Sequence, residues 1–424
     1  MPNIRTRVRR ARIAVFVLFL TNGALFANLV PRYPEVKDIF GLSDPIYGLT
    51  IACFPAGAMT AGPLAGWVIR RIGSARTAAW GTTGIGLMLI LVGIMTAWRH
   101  SIGADTGTTG VAVAAQALFM LGFFCAGGAD AVTDVGQNAH GLRVQRVIGR
   151  PVINSFHAGW SIGCVMGGLI GSAATALAIP LQWHLIAAAL VFMVVGQVAL
   201  RFCLPGNDPA DGQPDPVTVM AGAGSAPTAE VIDIRVRTAR IQPIFVVTAL
   251  TLLTIAGMLV EDGAQTWATL YMRDALGAVG GVAGSAYVLA LASQAVGRLT
   301  ADRMMEAIGA RNTLFVGGGL ITVGMGLAVL VQTVPTTLIG FAMAGFGCAS
   351  TVPIAMNAAD DIPGLKPGQG LTIVSWLGRL AFLCAPPVVG FLVERTSLIS
   401  ALVVLPIAGM LALVTATVVA KRSD

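Results

Sequence analysis

The 424 residues are 55% hydrophobic and only 11% charged, with a mean hydropathy of +0.79. Soluble domains carry roughly 25% charged residues, so a water-exposed fold is excluded and lipid is the expected solvent. The net charge of +7 does not indicate nucleic acid, because the basic residues cluster in short groups between apolar runs, as membrane topology signals do.

The first element follows a basic arm of Arg5, Arg7, Arg9, Arg10 and Arg12. Its apolar run continues to Val30 with no cleavage site, which predicts an uncleaved span rather than a signal peptide. Crossing a hydrocarbon core of about 30 Å takes about twenty apolar residues. Runs at 11–33, 46–69, 77–98, 111–139, 152–178 and 180–202 satisfy this, as do 241–272, 279–301, 312–333, 335–358, 370–393 and 397–420. Between the two sets lies a polar stretch containing Pro205, Gly206, Pro209, Gly212, Pro214 and Pro216, which cannot bury a core. The expected fold is therefore all-α: twelve transmembrane helices in two pseudo-symmetric six-helix bundles, 1–203 and 241–424, joined by a cytoplasmic linker at 204–240.

Of the 27 Lys and Arg, 21 fall in the N-terminal arm, the even-numbered loops and the C-terminal tail. Five fall on the opposite side (Arg32, Lys37, Arg99, Arg273, Arg395), and Arg379 lies inside a span. This bias places both termini in the cytoplasm of a multi-pass inner-membrane protein. The halves also repeat. Met120, Gly122, Phe123, Cys125 and Ala126 in span four answer to Met343, Gly345, Phe346, Cys348 and Ala349 in span ten, and Asn22-Gly-Ala24 answers to Asp262-Gly-Ala264. Parallel repeats of this sort build transporters with a midplane site at the repeat interface.

Small residues at four-residue spacing, Gly163, Gly167 and Gly171 in span five and Ala58, Gly62 and Gly66 in span two, predict close helix packing. Pro55, Pro63, Pro353, Pro386 and Pro387 predict bends. The six cysteines are scattered singly, so neither a disulfide framework nor a metal site is expected, and no cofactor-binding motif appears. Gly159, Ser161 and Gly163 match the GxSxG string of serine hydrolases, but a membrane helix lacks its strand–turn–helix setting. An intramembrane hydrolase at Ser161 is thus a remote alternative, and no enzyme is expected.

Ionisable groups at membrane depth are costly and mark function. Asn22, Asp130, Glu261, Asp262 and Arg379 all fall roughly 15 Å from a helix end, near the midplane. They are the candidates for substrate binding or coupling, with Asp130, Glu261 or Asp262 as the counter-charge of Arg379, the one basic residue assigned to a span. Glu261 and Asp262 are adjacent and point about 100° apart, so they cannot both face one cavity squarely. Asp134, Asn138, His157 and Asn357 are gate or pathway candidates. Trp160, Trp267 and Trp376 could stack on a substrate, although Trp267 could equally anchor at the interface.

The stretch Gly66, Arg70, Arg71, Gly73 and Arg76 resembles the signature loop of the major facilitator superfamily, and Asp302, Arg303 and Gly309 form its counterpart in the second half. Asp134 to Gly141, Gly149-Arg-Pro151 and Ser155 to Gly163 resemble a bacterial subgroup near the fucose-permease-like porters. Arg70 stands where the signature has an acidic residue, and five residues separate Arg303 from Gly309 where it has one. The resemblance implies a monomeric secondary transporter working by alternating access, with a cavity lined by spans one, four, seven and ten. Buried carboxylates make proton coupling the expected energy source. An exporter of drugs or metabolites and an uncoupled facilitator are the alternatives.

Overall fold

The computed structural model describes residues 4–102, 110–149, 152–206, 242–360, 362, 365 and 369–419. The first bundle comprises α1 (Ile4–Leu29), α2 (Asp44–Ala61), α3 (Ser74–Ile102), α4 (Gly110–Ile148), α5 (Ile153–Ala176) and α6 (Leu181–Leu200). The second comprises α7 (Pro243–Thr266), α8 (Ser285–Ile308), α9 (Ala310–Val331), α10 (Val334–Cys348), α11 (Gln369–Arg395) and α12 (Val404–Thr415). Short helices extend several of them: Tyr33–Phe40 after α1, Ala65–Ile72 after α2, and Thr351–Asp360 after α10. Counted with their extensions, eleven are long and apolar enough to cross a membrane. The exception is α8, whose later turns carry Arg298, Asp302, Arg303 and Glu306.

The N-terminus of α1, the end of α6 and the start of α7 share one end of the molecule, here the linker end; the opposite end is the far end. Most of the expected linker, from 207 to 240, lies outside the described residues. Two of the boundaries that differ from expectation are helix ends that run on past the predicted span. α4 continues to Ile148 because its last turns hold the chain leaving α6: Arg143 donates to the carbonyls of Pro205 and Gly206 (2.8 and 3.2 Å), and His140 Nε2 accepts from the Leu204 N–H (3.2 Å). α8 runs on to Ile308, where Gly309 stops it.

That stop is repeated between the halves. Gly73 and Gly309 have φ of 86° and 83°, a region that costs a side-chain-bearing residue. Each closes a helix by donating to the carbonyl four residues back, Ile69 (2.8 Å) and Met305 (2.9 Å). Each glycine carbonyl then accepts the hydroxyl of the residue four on, Thr77 (2.9 Å) or Thr313 (3.0 Å).

The glycine seam of α5 packs on α1. A Cβ at Gly163, Gly167 or Gly171 would overlap the backbone carbonyls of Leu20, Ala24 and Asn28 in turn. The stripe in span two does not pack this way. A Cβ at Gly62 would meet nothing within 4 Å, and one at Gly66 only the Arg70 side chain. The close approach of α2 to α4 runs instead through Gly57 against Phe124 and Gly127 against Phe54. Pro63 coincides with the break at Gly62–Leu64, and Pro353 follows the turn at 349–350, whereas Pro55, Pro386 and Pro387 lie inside continuous helices.

Candidate functional site

The charged residues predicted near the midplane fall into three groups rather than one. On α7, Glu261 and Asp262 point to different neighbours, as their helical offset requires. Glu261 turns toward α8, where Arg298 Nη2 lies 3.7 Å from its Oε2, with exposures of 37% for the Arg298 side chain and 17% for that of Glu261. The Arg298 guanidinium also sits 6.0 Å from the ring centroid of Trp160 on α5 of the other half. The second group is Asp130 on α4, within hydrogen-bonding reach of Asn22 on α1. Asn22 is buried and its Oδ1 has no partner among the described residues. Buried Cys164 lies within electrostatic reach of Arg298, Glu261 and Asp130.

The third group is Asp262 and Arg379, which line one cavity of about 210 Å³. Asp262 is buried and accepts the Thr266 hydroxyl at 3.2 Å. Gln265, Thr266, Asp262 and Arg379 supply the polar wall, all from α7 and α11. The first half supplies an apolar wall that includes Phe26 and Phe54, whose ring centroids are 5.2 Å apart, with Tyr33 and Met59. The cavity is therefore lined by α1, α2, α7 and α11 and the Tyr33–Phe40 helix, not by spans one, four, seven and ten. A much smaller void of about 10 Å³ lies among α7, α8 and α10 beside Glu261.

Arg379 is exposed and forms no ion pair with a described carboxylate, so none of the three expected counter-charges holds it. Nor is it the only cation among the spans, because Arg298 lies in mid-α8. Toward the linker end, Asp134 accepts from Asn138 Nδ2 at 3.0 Å and lies within the electrostatic reach of His157 and Arg379. His157 stands edge-on to Phe19 at 5.2 Å. Asn357 is exposed on the short helix after α10. Of the tryptophans, Trp160 faces Arg298, whereas Trp376 is exposed. Trp267 is fully buried edge-on to Tyr47 at 5.2 Å, which makes it a packing residue and not an interfacial anchor. Ser161 donates to the His157 carbonyl of its own helix (3.2 Å), and its flanking glycines pack on α1.

The halves are joined at the far end. Tyr47 donates to the Thr266 carbonyl (2.6 Å), and Arg273 pairs with Asp38 through two nitrogens (2.5 and 3.1 Å) while its Nε bonds Asp274 (2.6 Å). Gly48 admits the Pro386 carbonyl and Gly390 the Asp44 carbonyl, which brings α2 against α11. Ser172 of α5 fits against Gly281 and Gly284 before α8. Toward the linker end, Asp134, His157 and Arg379 stay exposed between the halves.

Residues 244–424 match the family model of the Major Facilitator Superfamily. An uncharacterized transporter, y4wD, from Sinorhizobium fredii is 26% identical over 90% of this chain and 90% of its own length. An uncharacterized MFS-type transporter from Yersinia pestis is 24% identical over 94% of this chain and 91% of its own. The membrane protein MosC of Rhizobium meliloti is 25% identical over 94% and 87%. Among solved structures, a bacterial homologue of the iron transporter ferroportin in its inward-facing state superposes with a TM-score of 0.67, at 14% identity over 97% of this chain and 99% of that one. The nucleoside transporter NupG superposes at 0.64, at 12% identity over 96% of this chain and 98% of that one. The chain has the major facilitator fold.

Within the major facilitator fold, several site residues carry little sequence signal. Arg298 falls three residues inside the predicted end of span eight, where it counts as a loop residue. Phe26, Phe54, Tyr33, Gln265 and Thr266 look like ordinary span residues, and only their convergence on one cavity marks them.

Proposed function

We propose that this protein is a secondary active transporter that moves a small polar solute across the inner membrane by alternating access, coupled to protons. The observation that carries the reading is Asp262 and Arg379 lining one cavity, on the seam between two bundles that touch at the far end. An acid and a base at that depth are worth their desolvation cost when a polar solute binds between them. The Lys and Arg bias supports a cytoplasmic linker end, so the described arrangement is the inward-open state. Rocking of one bundle against the other would then bring α2 from α11, and α5 from α8, apart at the far end and together at the linker end.

Coupling falls to the charges outside the cavity. Asp130 has a like charge, Asp134, as its charged neighbour, and Glu261 shares Arg298 with the face of Trp160. A proton on either carboxylate changes the cost of moving it between the two states. Placement near the fucose-permease-like porters rests on the Asp134 to Gly163 stretch alone. The aromatic wall of Phe26 and Phe54 supports a second reading, an exporter or facilitator of amphipathic compounds.

The test is transport in proteoliposomes with an imposed pH gradient, screened over sugars, amino acids, nucleosides and lipophilic cations. Gradient-driven accumulation of a polar solute, lost in Asp262→Asn and Arg379→Gln, is expected. Flux that ignores the gradient and survives Glu261→Gln and Asp130→Asn would refute coupling, and uptake limited to lipophilic cations would favour the second reading.

A further inference from the structure

A groove on the outer surface of the first bundle, lined by that bundle alone, belongs to neither the cavity nor the far-end contacts. It has a volume of about 460 Å³ and an almost wholly apolar lining. Its floor is α4, at Phe124, Gly128 and Ala129, and its walls are α3, the end of α2 at Gly57 and Ala61, and the helix Ala65–Ile72. Along α3 it runs from Thr77 to Gly84, about 10 Å. That is about a third of a ~30 Å hydrocarbon core, room for the upper part of one acyl chain.

The mouth of the groove is basic. Arg76 lies one turn from Trp80 on the same side of α3, and Arg71 lies one turn from Val68 on the short helix. Both arginines are exposed, and neither forms an ion pair among the described residues; Arg71 sits 5.8 Å from the exposed Trp67 ring. Two guanidiniums at headgroup level, flanked by exposed Trp67 and Trp80, suit a phosphate and not a neutral surface.

Gly84 keeps the groove open. A glycine in a helix interior costs about 1 kcal/mol relative to alanine, and most such glycines here admit a neighbouring backbone. A Cβ at Gly84 would meet only Ala129 Cβ, at an ordinary 3.5 Å. Nothing in helix packing requires glycine there, and any larger side chain would fill the groove.

We infer that this groove is a binding site for an anionic phospholipid, with its phosphate on Arg71 and Arg76 and one acyl chain lying along α3 over Gly84. The juxtaposition of an apolar channel with two arginines at its mouth, neither in an ion pair among the described residues, carries the assignment.

The test is native mass spectrometry and thermal unfolding of the full-length protein in detergent, with phosphatidylglycerol, phosphatidylcholine or glycerol 3-phosphate added. The intact protein should retain and be stabilised by phosphatidylglycerol over phosphatidylcholine, and should ignore glycerol 3-phosphate. Arg71→Gln/Arg76→Gln should abolish the preference for phosphatidylglycerol. Gly84→Leu should lower retention of both lipids severalfold, and if that variant misfolds the surface arginine pair decides alone. Equal binding of the two lipids by the unaltered protein, or an undiminished preference in Arg71→Gln/Arg76→Gln, overturns the assignment; stabilisation by glycerol 3-phosphate as strong as by lipid reduces it to a headgroup site.

Discussion

Gly48→Ala should lock the far end open without unfolding either bundle. Gly48 on α2 faces α11 of the other half, where an added Cβ would overlap the carbonyl of Pro386 and press on the Pro387 Cα. The obstacle is backbone, so no rotamer change relieves it, and the helices must separate where Tyr47 now reaches Thr266. Forcing a methyl into a close-packed contact costs about 1–3 kcal/mol. The gain in helix propensity from Gly to Ala applies in both states and cancels. The cost therefore falls on the far-end-closed state alone and shifts the equilibrium roughly 5- to 150-fold. Spin labels at exposed Val111 and Leu330 report the far end, and labels at Trp67 and Ile244 report the linker end. In double electron–electron resonance the first distance should lengthen and the second shorten, while the circular dichroism of the variant stays that of the parent. Unchanged distance distributions in Gly48→Ala would refute the claim that α2 and α11 close the far end through this contact.

Removing Asp38 should act in the same direction but weakly, because Asp38 is 61% exposed. Asp38→Asn is expected to cost the closed far end about 0.2–1 kcal/mol, a shift of about fivefold at most, and high salt should erase the difference in the same distance measurement. Glu261 and Arg298 should couple: Glu261→Gln and Arg298→Gln each lower thermal stability, but the double variant should be no worse than the poorer single, giving an interaction of about 1 kcal/mol. Strict additivity in that cycle would dissolve the pair. Gly163→Ala should lower the melting temperature clearly, since its Cβ would meet the Leu20 carbonyl, whereas Gly62→Ala should change stability by less than about 0.5 kcal/mol.

The last contrast shows where the sequence stops being informative. Gly163, Gly167 and Gly171 have the same spacing as Ala58, Gly62 and Gly66, yet the glycines of the first set meet another helix and those of the second do not. Spacing fixes which side chains share a face, and nothing in it says what stands opposite. Hydropathy suffices for most of the spans, because a hydrocarbon core demands long apolar runs. It fails at α8, where Arg298 lies so near the hydropathy boundary that loop and span are indistinguishable, although the helix runs on past it. The cavity wall is illegible for a different reason. Phe26 and Phe54 face each other from two helices of the same bundle, and a phenylalanine in a span looks alike whether it faces lipid, core or cavity.

The adjacent acids of α7 show what that ambiguity conceals. Read in sequence, Glu261 and Asp262 are rivals for one role. A rotation of about 100° per residue gives each its own seam. Asp262 shares its cavity with Arg379 of α11, facing residues of α2. Glu261 meets Arg298 of α8, which in turn lies under Trp160 of α5. The two bundles touch along both seams, α2 with α11 and α5 with α8. Any rigid rocking that separates one pair at the far end separates the other as well. Opening the cavity wall thus also moves Trp160 relative to Arg298, and with it the surroundings of Glu261. On the proposed reading, charge at Glu261 and occupancy at Asp262 would bias the same equilibrium without touching each other, and by linkage each would change the other's binding equally. Under the proposed transport cycle, two neighbouring carboxylates on one helix would be enough to couple a proton to a solute, because that helix stands where both seams meet.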